Sequence, residues 1–152
     1  MPSKLIYLLI ASTLLGGMAY FAWTNPSYQK AFEAKWYYLT GEYDTAYQLA
    51  KEAYTLDHYN RMALTVISQT EIARKYLSYI EESNAFLQRI ERIAEKTPIE
   101  EADKVRIKMM CEVMLDRYEQ LAATPLTDRD LMEKAKRIRD EFKKLYTSLF
   151  ER

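Results

Sequence analysis

Glycine is scarce in this chain of 152 residues. There are three, and two of them (Gly16, Gly17) sit in an apolar run at the N-terminus, which leaves only Gly41 in the 129 residues beyond residue 23. Phosphate-cradling and dinucleotide-binding loops need several glycines close together, so both are excluded. One histidine (His58) and one cysteine (Cys111) exclude zinc fingers, paired-histidine metal sites and a disulfide framework within the chain. Di-iron bundles need Glu-x-x-His on two helices, which a single histidine forbids. Charge of one sign is missing too. Lys+Arg is 22 and Asp+Glu is 22. Lys4 is the only charged side chain before residue 24, so the rest carries 21 basic and 22 acidic groups. That is no basic footprint for nucleic acid. Valine is rare (Val66, Val105, Val113), and no segment shows the sustained two-residue alternation of a strand.

What is present begins with LIYLLIASTLLGGMAYFAW, Leu5 to Trp23, without a charge. As a helix it spans roughly 28 Å, close to the thickness of a bilayer's hydrocarbon core. Leu5, Leu9, Ser12 and Gly16 belong to this anchor. Tyr20 and Trp23 stand at its far end, where amphipathic rings favour the interface. Asn25-Pro26 then ends the helix. An uncleaved signal anchor fits best, because the run is longer than the apolar core of a signal peptide. A cleaved signal peptide, with Gly17-Met18-Ala19 as the small-x-small site, stays open. Lys4 and the free amine favour a cytoplasmic N-terminus. The expectation is a single-pass protein of a bacterial inner membrane with its remaining domain in the periplasm, while a mitochondrial or other organellar membrane stays open. Ser12 and Gly16 are spaced for close helix approach, but ordinary small residues in a span explain them as well.

Beyond residue 26 the pattern is helical. Helices are expected over 28–39, 44–56, 61–74, 76–95, 97–124 and 127–152. Thr97-Pro98-Ile99-Glu100 reads as a capping box with proline at the first helical position. The following helix is expected to turn Ala102, Val105, Met109, Val113 and Leu121 to the core. The last helix carries Leu131, Ala135, Ile138, Phe142, Leu145 and Leu149 at alternating spacings of four and three, a narrow seam for a helix partner. Short connections imply antiparallel neighbours. The fold class is therefore all-α, with an N-terminal transmembrane helix (1–26) and an antiparallel array of about six helices (27–152).

A repeat signal lies within residues 28–60. Tyr37 and Tyr38 are aromatic late in one helix. Gly41, Tyr43 and Ala46 form a Gly-x-Tyr-x-x-Ala turn. Ala50 and Ala53 are small residues in the next helix, and Leu56-Asp57 ends the unit. This stretch resembles a tetratricopeptide repeat. Glycine breaks the helix there, and the alanines allow close approach. His58 replaces the proline usual at that place, and the family's Trp and Leu-Gly are missing at their expected places in the first helix, although Trp36 lies nearby. Ala63, Leu64 and Ile67 begin a second, degenerate unit, so the resemblance covers about 60 residues. It implies a concave groove lined by first-helix side chains: Tyr28, Lys35 and Tyr38, then Arg61 and Thr65. An anchor followed by such repeats is similar to small envelope accessory proteins, such as those attending translocons, flagellar motors or secretion systems.

Enzymatic chemistry has little to stand on. Glu81-Glu82 and Glu100-Glu101 are neighbours whose carboxylates diverge on a helix. Cys111 among Met109, Met110 and Met114 suggests a soft-metal site, but buried sulfur is ordinary core. His58 falls in a turn. No metal, cofactor or small-molecule substrate is expected. The expected function is a non-enzymatic scaffold or adaptor in an envelope complex that binds a partner protein. The alternative is a chaperone-like holdase for translocated polypeptides.

Overall fold

A computed structural model describes residues 2–95 and 98–150. Among the described residues the chain is all-helical with no strand: α1 (Pro2–Thr24), α2 (Pro26–Leu39), α3 (Tyr43–Leu56), α4 (Arg61–Ala94), α5 (Glu101–Glu119) and α6 (Arg129–Phe150). It divides into two compact units, Met1–Thr70 and Glu71–Arg152, with α4 running through the division.

The first unit is built on alanine. Ala31 and Ala34 of α2, Ala46, Ala50 and Ala53 of α3, and Ala63 of α4 have no exposed surface. Ala34, Ala46, Ala50 and Val66 make one cluster, and Ala31, Ala53 and Ala63 a second. Side chains this small let helix backbones approach closely. The α2–α3 turn is closed by the Glu42 amide donating to Tyr37 O (2.9 Å) and the Gly41 amide to Tyr38 O (3.2 Å). That pattern needs a left-handed residue at Gly41, whose φ is 85°. Asn25 caps α2, its side chain accepting from the Ser27 amide at 2.9 Å.

A buried polar relay ties the three helices together. Asn60 has no exposed surface. Its Oδ1 accepts from the Ala63 amide (3.1 Å) and caps α4. Its Nδ2 donates to Ser27 Oγ (2.8 Å), which donates in turn to the Ala53 carbonyl (2.8 Å). In this relay the Asn60 Oδ1, Asn60 Nδ2 and Ser27 Oγ atoms each have a partner, as burial demands.

In the second unit the later part of α4 packs with α5 and α6. Met114 and Phe142 are fully buried, and Tyr79, Ile80, Ile107 and Ile138 are buried as well. Ser83 Oγ donates to Met114 Sδ at 3.2 Å, and Glu82 pairs with Arg117. Tyr79 and Tyr118 rings lie 5.9 Å apart, and the Arg139 guanidinium stacks 4.9 Å above Tyr118. Asp128 Oδ1 accepts from the Asp130 amide (2.8 Å) at the start of α6.

Three expectations are corrected. The helices expected over 61–74 and 76–95 are one helix of 34 residues, so five helices, not six, follow α1 among the described residues. Ala73-Arg74-Lys75-Tyr76 contains neither glycine nor proline, and Ala73 and Tyr76 are buried, so nothing ends the helix there. The helix expected from Thr97 starts at Glu101. Glu100 is its N-cap residue and makes no side-chain capping bond, and Thr97 lies outside the described residues. The face of α5 is also different. Val105, Met109 and Val113 are exposed, along with Ala102, while Asp103, Ile107, Met110, Cys111 and Met114 are buried. Both faces are apolar, so periodicity had no basis for choosing between them. On the buried side Met114 meets Ser83 of α4. The end of the last expected helix, Glu151-Arg152, lies outside the described residues.

Candidate interaction surfaces

α1 is long and apolar enough to cross a membrane. Its window Lys4–Phe21 has a mean hydropathy of 1.5, and none of it is buried. Leu5, Leu9, Tyr20 and Trp23 are all exposed, and so are Ser12 and Gly16. Ser12 Oγ donates to Leu8 O (2.9 Å) and Thr13 Oγ1 to Leu9 O (2.9 Å). Such back-bonding satisfies both hydroxyls within the helix itself.

α2 packs against the end of α1. The Phe21 and Tyr28 rings meet edge to face at 5.7 Å, and Gln29 Nε2 donates to the Trp23 carbonyl. An apolar cleft opens between the helices, walled by Leu14, Gly17, Met18 and Phe21 on one side and Tyr28 and Phe32 on the other. α2 thus has two apolar faces. Ser27, Ala31 and Ala34 are buried against α3. Phe32, Trp36 and Leu39 point out, at 51%, 66% and 68% exposure.

The expected groove residues do not share one surface. Tyr28 lines the cleft just described. Lys35 is exposed on the same side of α2. Tyr38 turns inward, half-buried against the Ala34–Ala46–Ala50 cluster, with its ring 5.6 Å from Tyr43. Arg61 and Thr65 are exposed in the first turns of α4, and Thr65 Oγ1 donates to Arg61 O at 2.8 Å. Of the residues read as repeat signature, Tyr43, Ala46 and Ala53 are buried and Gly41 stands at the turn. Lys30 and Glu52 join α2 to α3 by an ion pair of 2.6 Å. The hydrogen bond to Glu52, then its charge, raises the Lys30 pKa.

The second unit carries another open stripe. Ala102, Val105, Met109 and Val113 lie within an arc of about 80° on α5 at 100° per residue. Val105 and Met109 are 56% and 59% exposed. On the covered side, burial pushes the Cys111 thiol up to about 11, with the Glu112 charge adding to it. Burial also raises the Tyr76 and Tyr79 phenols, so all three groups are neutral at ordinary pH. A buried thiol held protonated in this way reacts slowly as a nucleophile. Among the described residues no three His, Cys, Asp or Glu side chains gather as a metal site would require.

Sequence reasoning missed Ser27 and Asn60, the most buried polar pair in the first unit. Asn60 ahead of Arg61 is an N-cap signal. Its second bond, to Ser27, spans 33 residues and has no local signature. Comparison with protein families, with curated proteins and with solved structures finds no match. The surfaces must therefore be read on their own chemistry.

Proposed function

We propose that this chain is a membrane-anchored, non-enzymatic scaffold or adaptor, a small subunit of a bacterial envelope complex that holds a partner protein. α1 spans the inner membrane with its N-terminus in the cytoplasm, and the helices beyond it stand in the periplasm. The helical pairs α2–α3 and the first turns of α4 serve as a tetratricopeptide-like element.

The observation that supports this reading is the stripe Ala102–Val105–Met109–Val113. A helix on the surface of a small unit exposes such a row at a cost in solubility, and open apolar rows mark interfaces. Arg106 and Asp116 are exposed near its edge and supply the polar rim that interfaces carry. Anchoring adds effective concentration, so a modest contact suffices for stable assembly.

The test is purification of the full-length protein from its native membrane in mild detergent, followed by mass spectrometry. A few proteins in fixed ratio support a structural subunit. The Val105→Ser, Val113→Ser double variant, checked for helicity, loses them if the stripe carries the contact. A broad population of envelope polypeptides supports the holdase alternative instead. Reporter fusions to the C-terminus, one active only outside the cytoplasm and one only inside, decide the topology.

A further inference from the structure

We propose that α2 is a second membrane contact: its outer face, formed by Tyr28, Phe32, Lys35, Trp36 and Leu39, lies in the interfacial layer of the bilayer that α1 crosses. The proposal rests on reading α1 as a membrane span.

The face is defined by spacing. At 100° per residue these five side chains fall within an arc of about 100°. Lys35 is the only charged group among them. Glu33 falls outside the arc, and Lys30 is tied to Glu52. The inner face of α2 is already spent on α3 through Ser27, Ala31 and Ala34. The outer row takes no part in the alanine clusters that join α2 to α3 and α4, although Tyr28 meets Phe21 of α1, and it includes Trp36, the largest side chain of the helix. Phe32, Trp36 and Leu39 each expose half or more of their surface.

Position selects the occupant. One residue, Asn25, separates the end of α1 at Thr24 from the start of α2 at Pro26. α2 is about 21 Å long, so no part of it travels far from the end of the span. It also folds back. The cleft between the helices is walled by α1 from Leu14 to Phe21, a stretch of about 10 Å along the axis. If α1 crosses the bilayer, that wall stands at the depth of acyl chains. Phe32 and Tyr28, which form the opposite wall, then border the same layer. Gly17 leaves its side of the cleft open, with nothing within 4 Å of where a Cβ would stand. Lipid chains fill such a space, whereas water beside exposed Leu14, Met18 and Phe32 would be unfavourable.

The residue types fit that depth. Tryptophan and tyrosine prefer the headgroup boundary. A helix lying in that plane carries aromatic and leucine side chains on one face and lysine at its edge. Lys35 can extend its stem along apolar surface while its ammonium reaches phosphate.

The chain has two tryptophans, Trp23 and Trp36, which makes the test direct. Full-length Trp23→Phe, with Trp36 as sole reporter, is reconstituted into vesicles of phosphatidylcholine and phosphatidylglycerol. Brominated phosphatidylcholine then quenches from within the bilayer and acrylamide from water. The proposal expects blue-shifted Trp36 emission, strong quenching by bromine near the headgroup end of the chain, weaker quenching by bromine near the terminal methyl, and protection from acrylamide. The Trp36→Phe variant reports Trp23 in the same vesicles. Trp36 open to acrylamide while Trp23 is quenched by bromolipid overturns the proposal and leaves the anchor standing. Trp36 shielded from both quenchers means that protein covers the face, and this also overturns it. Neither tryptophan quenched by bromolipid means that α1 is not in the bilayer, and both readings fall. Trp23 and Trp36 are exposed at 80% and 66%, so neither substitution disturbs the packing.

Discussion

Asn60 donates to Ser27 and accepts from the Ala63 amide, and Ser27 passes the chain on to the Ala53 carbonyl. Removing one member leaves buried partners without water, so the loss exceeds that of one ordinary hydrogen bond. Asn60→Ala removes a helix cap as well. It should destabilise the first unit by about 2–3 kcal/mol, read from faster amide exchange in α2 and α3. Ser27→Ala added to it should cost much less than it does alone, because the two act as one network. Cys111 makes a prediction of the opposite kind. Its thiol is raised from an ordinary 9.0 to about 11 by burial first and Glu112 second. The folded state therefore keeps a proton that the unfolded chain gives up. Stability from this group is complete below pH 9 and is lost as pH rises through about 11. Labelling by a thiol reagent near neutral pH should be negligible in the native protein and prompt in denaturant. Fast labelling under native conditions would contradict the burial of Cys111.

At the scale of the element, α2 and α5 share a property that makes them hard to read. Each is apolar on two sides. For α2 the sides differ in character: Ser27, Ala31 and Ala34 are buried, with Tyr37 and Tyr38 half-buried against the alanine cluster, while Phe32, Trp36 and Leu39 face outward. For α5 they are similar, and the choice goes to Ile107, Met110, Cys111 and Met114. Two methionines on this helix test it. Met114→Ala, at a fully buried site, should cost about 2–5 kcal/mol. Met109→Ala, on the open side, should stay within about 0.5 kcal/mol. Equal effects in urea unfolding would mean that the buried face is wrongly assigned. α4 offers a second test, since a turn near Arg74 would accept proline and a continuous helix would not. Lys75→Pro should cost about 3 kcal/mol or more and reduce the helical circular-dichroism signal. The α2–α3 turn depends on Gly41, whose φ of 85° burdens any side chain. Gly41→Ala should cost about 1–2 kcal/mol, and Gly41→Asn less, because asparagine tolerates that region better.

For the molecule as a whole, local signals account for a good part of the reading. An uncharged run from Leu5 to Trp23 and the absence of β-patterning already imply one apolar helix and an all-α body. Asn25-Pro26 and Thr40-Gly41 mark helix ends by chain chemistry alone, and α2 and α3 begin and end within two residues of where those signals put them. Leu131, Ala135, Ile138 and Phe142 of α6 are buried because only one side of that helix is apolar. The unbroken α4 was obscured by the repeat pattern, which asks for a turn that Ala73 to Tyr76 lack the residues to make. Which face of α5 is covered, which face of α2 is left open, and the bond from Asn60 to Ser27 were decided only by tertiary packing. Periodicity records where apolar residues recur along a helix. It does not record which neighbour arrives, and where two faces are equally apolar only the shape of that neighbour breaks the tie.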